Sequence, residues 1–201
     1  MSKYAMAIDL DRCNGCNACV IACKVEHSAP NEVLLTTILE KEVGQYPNAN
    51  RQFVPILCNH CDNAPCIPVC PTKATYKRPD GIVLVNWDAC IGCGACSLAC
   101  PYDQRHMVED EKTSFPSGGG QYVNPDVDKA PKGVIMKCDF CYHRVDEGLV
   151  PACVEACPTE ARIFGFVDGS DTPINTVISR RKTFTLLPDK GAEPNVHYFS
   201  N

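Results

Sequence analysis

Bulky side chains and long apolar stretches are both scarce in this sequence. Only one of its 201 residues is Trp and 7% are aromatic, so large rings alone do not explain a core. No apolar run approaches the roughly 20 residues needed to cross a bilayer, so no membrane span of its own is expected. The opening MSKYAMAIDLDRC has neither an apolar h-region nor twin arginines, and no signal peptide is expected in it. Nucleotide fingerprints are missing as well. No G-x-G-x-x-G or Walker pattern occurs, and the run Gly118 to Gly120 follows no strand. A net charge of −5 and the lack of a basic run interleaved with aromatics argue against nucleic acid. No Ser/His/Asp set and no supported pair of carboxylates offers catalysis.

Cysteine, in contrast, occurs 16 times. Disulfides belong to secreted scaffolds, and nothing marks secretion here. Spacing separates zinc from iron–sulfur. The first group (Cys13, Cys16, Cys19, Cys23) and the third (Cys90, Cys93, Cys96, Cys100) are both C-x2-C-x2-C-x3-C. The second (Cys58, Cys61, Cys66, Cys70) widens the middle gap by two residues. The fourth (Cys138, Cys141, Cys153, Cys157) stretches it to eleven. A cubane needs four thiolates. Three cysteines on a tight loop wrap three corners, while the fourth, three residues on, points away toward another cluster. Zinc sites use two separated C-x2-C pairs, which leaves cysteines of this pattern over. Pro follows the fourth cysteine at Pro71, Pro101 and Pro158 and turns the chain, whereas the first group has Lys24 there.

The four groups form an internal repeat of a ferredoxin-like unit, giving an α+β fold of two nested bacterial-ferredoxin-like modules that bind four [4Fe-4S] clusters. Between the second and third groups, residues 74–76 and 82–85 read as strands around the turn Arg78-Pro79-Asp80-Gly81. An inner module is expected over 58–101, and an outer one over 1–57 plus 133–170. Residues 102–132 are read as a connecting loop and 171–201 as a C-terminal extension. Strands are expected at 4–10 and 162–167, helical character near 32–42, and a short helical run from Pro173 ending at Arg180, Arg181 and Lys182. His60 and His143 neighbour ligands, but every group already has its four thiols, so neither is expected to bind iron. Each loaded cubane carries a charge of about −2, which takes the chain from −5 to about −13. Lys24 is one candidate to offset this, a solvated surface lysine being the alternative.

In order and spacing these groups resemble the iron–sulfur subunits of the molybdopterin oxidoreductase family, notably those of polysulfide, thiosulfate, tetrathionate, arsenate and dimethyl sulfoxide reductases. YAMAIDLDRCNGCNACVIACK, LCNHCDNAPCIPVCPT and GLVPACVEACPTEAR carry the likeness, which spans about residues 3 to 168. The resemblance implies four ligand sets. Cys13, Cys16, Cys19 and Cys157 hold the cluster nearest a molybdopterin-containing catalytic subunit. Cys23, Cys138, Cys141 and Cys153 hold the next, and Cys58, Cys61, Cys66 and Cys100 the third. Cys70, Cys90, Cys93 and Cys96 hold the distal cluster. Some relatives replace the residue matching Cys93 and hold three irons there. The family's role is electron transfer, with no catalytic residue in this subunit, and an integral-membrane quinone-binding subunit is the expected second partner. Respiratory turnover of a sulfur compound or arsenic oxyanion is implied, on a peripheral membrane subunit, with the periplasmic face, reached by export with a signal-bearing partner, slightly favoured over the cytoplasmic one. Two other readings are the iron–sulfur subunit of a formate dehydrogenase or hydrogenase, and a free-standing polyferredoxin carrier.

Overall fold

A computed structural model describes residues 3–110 and 129–200. The Gly118 to Gly120 run and most of the expected connecting loop lie outside the described residues. Strand β1 (Lys3–Asp9) leads into helix α1 (Ala18–Glu26), followed by β2 (Thr36–Val43) and β3 (Asn50–Leu57). Then come β4 (Thr75–Lys77), β5 (Val83–Val85), α2 (Ala95–Ala99), β6 (His106–Met107) and β7 (Ile135–Met136). The chain continues with α3 (Tyr142–Asp146), α4 (Ala152–Glu155), β8 (Arg162–Val167), α5 (Pro173–Arg180) and β9 (Val196–Phe199). Short helices beside short sheets make the α+β fold expected from the sequence.

β1 and β8 pair antiparallel from Lys3↔Val167 to Ile8↔Arg162, joining the chain before the first cysteine group to the chain after the last. Both strands are where their alternation places them. The tail was expected only as an extension, yet β9 completes this sheet by pairing parallel with β1. Just before β9, the tail also binds the second cysteine group. Asp62 N–H donates to the Glu193 carbonyl, Asn195 N–H to the Asn59 carbonyl, and Asn195 Nδ2 to the His60 carbonyl. The hairpin β4–β5 matches the sequence expectation within a residue, and α5 begins at Pro173, where a proline suits a first helical turn.

One expectation fails. Residues 32–42 are not helical: β2 and β3 form a hairpin registered from Thr36↔Leu57 to Val43↔Asn50. Leucines at helical spacing suggested a helix, but Thr36, Thr37 and Ile38 are β-branched and fit a pleated surface. The pairing with β3 then satisfies their backbone groups. Tyr198 Oη, fully buried, donates to the Pro55 carbonyl at 2.8 Å and fastens this hairpin to the sheet.

The core is built around sulfur. One buried cluster joins Met6, Ile8, Leu57 and Phe140 to Cys19, Cys23, Cys58, Cys138 and Cys153. A second joins Val83 and Ile135 to Cys61, Cys66 and Cys96. A chain with few aromatics thus packs its centre against cysteine loops.

Candidate metal centres

Each cysteine group opens with the same backbone device. The residue before its second cysteine has positive φ: Gly15 at +73°, His60 at +44°, Gly92 at +65° and Phe140 at +57°. Glycine adopts that region freely, whereas His and Phe are held there by their surroundings. His60 and Phe140 stack on each other at 3.8 Å, so the second and fourth loops meet ring to ring.

A second device closes three of the groups. After the proline, the third residue beyond the fourth cysteine is again left-handed: Lys73 at +56°, Asp103 at +52° and Glu160 at +50°. Their N–H groups return to the carbonyls of Cys70, Cys100 and Cys157. With Lys24 in place of proline, the first group instead carries its helix on to Glu26. The turn brings the fifth residue inward: buried Thr75, Arg105 and Arg162.

No disulfide joins any of the sixteen cysteines. Cys58, Cys61, Cys66 and Cys100 line one small cavity, and Cys70, Cys90, Cys93 and Cys96 another. Burial, followed by the neighbouring Cys58, Cys66 and Cys100, pushes the Cys61 thiol up to about 12. Burial also raises Cys153 to about 12, with Arg162 opposing and Cys23, Cys141 and Cys19 adding to the rise. Cys13 is raised chiefly by burial, with Cys19 and Cys157 contributing. Cys138 is raised well above its ordinary value by burial and by Cys23 and Cys153. Crowded thiols of this kind ionise together only when a metal takes up their charge.

Buried cations meet these thiols. Arg162 Nη2 donates to Cys19 Sγ at 3.3 Å and to Thr36 Oγ1 at 3.0 Å, and its Nη1 donates to Cys153 Sγ at 3.6 Å. Arg105 Nη2 donates to Cys66 Sγ at 2.9 Å, and its Nη1 to Thr75 Oγ1 at 3.0 Å. Sequence reasoning passed over both arginines, although each stands five residues after a Cys-Pro. Lys24 is not the solvated surface lysine of the alternative reading. It is buried, and its Nζ binds the carbonyls of Pro30, Asn31 and Val33. His27 was also missed. Its Nε2 meets Asp139 Oδ1 at 2.8 Å and its Nδ1 meets the Cys23 carbonyl at 3.0 Å. Burial opposes charge on His27, yet Asp139 and Cys23 carry its pKa well above the usual value. His143 pairs with Glu26 at 2.8 Å. His27, Asp139 and His143 line a cavity of about 370 Å³, but their pairings with each other and with Glu26 spend them and hold the loop of the fourth group.

The donor sets suit iron–sulfur cubanes. Val83 N–H donates to His60 Nδ1 at 3.0 Å, which leaves the proton on Nε2. That buried Nε2 has no partner among the described residues. An N–H so placed, beside Cys58 and Cys61 in the lining of one cavity, would suit a cluster sulfur as acceptor.

Known proteins agree. The model of the 4Fe-4S dicluster domain matches residues 49–116 and 122–167, and that of the 4Fe-4S binding domain matches 6–26. The chain is 40% identical, over its full length and 80% of the relative's, to an iron–sulfur subunit of Halobacterium salinarum assigned to a dimethyl sulfoxide reductase. It is 38% identical to a tetrathionate reductase subunit of Salmonella typhimurium, over 98% of this chain and 72% of that one. It is 36% identical to the arsenate respiratory reductase iron–sulfur subunit of a Shewanella species, over 98% and 95%. With sixteen cysteines available, dicluster domains account for four [4Fe-4S] clusters. Loops, donors and relatives together make this chain a member of the [4Fe-4S] dicluster family of reductase iron–sulfur subunits.

Proposed function

We propose that this chain relays electrons between a molybdopterin-containing catalytic subunit and a membrane quinone- or quinol-linked subunit, using the four ligand sets that the family resemblance implies. The catalytic partner acts on a sulfur compound or arsenic oxyanion, the chemistry in the names of the relatives. Each bound cluster supplies reversible one-electron transfer.

The observation that carries this reading is the exposure of the cysteines. Only Cys16 and Cys93 are exposed, and they belong to the first and last sets. The two middle sets keep Cys23, Cys138, Cys141, Cys153, Cys58, Cys61 and Cys66 buried. A relay needs this pattern: ends near a surface where partners dock, and a middle closed to water. Around the last set, Val69, Ile91 and Leu98 present exposed apolar side chains, with Leu98 92% exposed. Such a patch suits a permanent partner better than water. No helix among the described residues is long and apolar enough to cross a membrane, so the chain is read as a peripheral subunit.

The chain's own residues bind and shelter. Cysteines fix the clusters, the left-handed loop residues shape the turns that present them, and the His60–Phe140 stack packs the two middle loops together. Anaerobic native purification tests the reading. Sixteen irons per chain and co-purification with a larger catalytic chain are expected, and stoichiometric zinc or a lone active monomer would overturn it. Cys93→Ser should damage one end cluster and abolish exchange with quinone analogues while dyes still support turnover. Cys16→Ser should interrupt the relay at its catalytic end. The opposite pattern reverses the direction of the wire.

A further inference from the structure

Four lysine or arginine side chains are buried among the described residues: Lys24, Lys137, Arg105 and Arg162. They divide by chemistry. Lys24 binds only carbonyls, and Lys137 binds the carbonyls of Val83 and Cys138. The two arginines bind sulfur.

Their settings repeat. Each arginine follows a fourth cysteine by five residues, through a Cys-Pro turn with a left-handed third residue. A threonine hydroxyl 3.0 Å away holds each guanidinium, Thr36 for Arg162 and Thr75 for Arg105. Each is almost wholly buried, at 4% and 3% exposure. The sulfurs they meet are the decisive point. Arg162 donates to Cys19 and to Cys153, one from each of the first two ligand sets. Arg105 donates to Cys66 of the third set, and the thiol of Cys96, from the last set, is among the groups whose charge acts on it. Arg162 reaches Cys19 across 143 positions of sequence, whereas Arg105 reaches Cys66 across 39. In both places the same Cys-Pro turn carries an arginine to the sulfur of a distant cysteine group.

We propose that Arg162 and Arg105 set reduction potentials, each standing between the two clusters of one module and holding both at more positive potentials than thiolate ligation alone would give. The proposal rests on the ligand sets above. Uptake of one electron adds one negative charge to a cluster. A fixed guanidinium beside it stabilises that state, and N–H donation to ligand sulfur acts in the same direction. Water cannot screen the effect at a site this closed. The guanidinium stays protonated throughout, so no proton accompanies the electron. One cation shared by two clusters has a further consequence. It offsets the repulsion between neighbouring reduced clusters, so the second electron enters a module more easily.

The test is EPR-monitored redox titration of the anaerobically purified, cluster-loaded protein, with Cys16→Ser and Cys93→Ser identifying the end signals. In Arg162→Gln, two signals should move to more negative potentials. At the native midpoint, their reduced-to-oxidised ratio should fall tenfold or more, about 59 mV for a one-electron couple. The other two should not move. Arg105→Gln should give the complementary pair. Arg→Lys keeps the charge without the fork of donors and should shift the same pair by less. Should a Gln variant lose iron, Thr36→Val and Thr75→Val release each guanidinium from its anchor and should shift the same pairs in the same direction. Fully loaded variants with unmoved potentials would overturn the role of the arginines. A shifted pair drawn from both modules would instead overturn the ligand sets and leave the arginine effect standing. Equal movement of all four signals would overturn the placement between clusters.

Discussion

Gly92 and Gly94 flank Cys93, and the structure makes very different demands on them. Both are left-handed, at φ +65° and +73°. A Cβ on Gly94 would meet nothing within 4 Å, whereas one on Gly92 would lie 2.0 Å from the Gly133 carbonyl oxygen. For alanine, the left-handed conformation alone costs about 1–2 kcal/mol, and this is the whole expectation for Gly94→Ala. Gly92→Ala must also displace the backbone at Gly133. That segment is tied by Gly133 N–H to the Val108 carbonyl at 2.8 Å and by Val108 N–H to the Val134 carbonyl at 2.9 Å. Losing both bonds adds about 1–3 kcal/mol, for a total of about 2–5 kcal/mol. The chain supplies its own control. Asn17, at the position in the first group that Gly94 holds in the third, is left-handed at φ +61°, so Gly94→Asn should be nearly neutral. Cluster loss makes unfolding irreversible, so the measurement is kinetic: the rate of chelator-driven bleaching and the iron retained after purification. The expected order of retention is native, Gly94→Asn, Gly94→Ala and, far behind, Gly92→Ala. If Gly92→Ala bleached no faster than Gly94→Ala, contact with Gly133 would not be what reserves this position for glycine.

Three further outcomes are expected. Phe140→Ala removes a ring that is 1% exposed and stacked on His60. It should cost about 3–5 kcal/mol, visible as faster bleaching of the two middle clusters before the end ones. Ile91→Glu with Leu98→Glu should leave iron content unchanged, because both side chains are exposed, while gel filtration shows the complex with the membrane partner falling apart. Removing residues 192–201 deletes β9 and the bonds of Asn195 to Asn59 and His60. Iron per chain should then fall below the native value, and a full complement would show that the tail is dispensable.

Much of the fold was legible because its signals are local. The alternation of Tyr4 to Leu10, the segment RIFGFV and the turn before Gly81 each announce a strand within a few residues. Pro173 likewise announces its helix. The β2–β3 hairpin was not legible, because LLTTILEKE also reads at helical spacing. What decides between the two is a partner strand ending at Leu57. Nothing near β9 says that it will lie parallel to β1 at the far end of the chain. His27, one helical turn after Cys23, gives no sign of Asp139, its partner 112 positions away.

The cofactor class was set by the sequence itself. A C-x2-C followed by a C-x3-C, repeated four times with only the gap between them varying, is a property of neighbouring residues, and cluster chemistry asks only for such sulfur. Which charge faces that sulfur was decided by the tertiary structure. Lys24, beside Cys23 in sequence, turns its ammonium to backbone carbonyls, while Arg162 comes from the far end of the chain to Cys19. Buried Lys24 finds its carbonyls six to nine residues on, in the segment after its own helix. A guanidinium in the closed interior is stable only where several acceptors converge, and folding alone brings Cys19, Cys153 and Thr36 to one place.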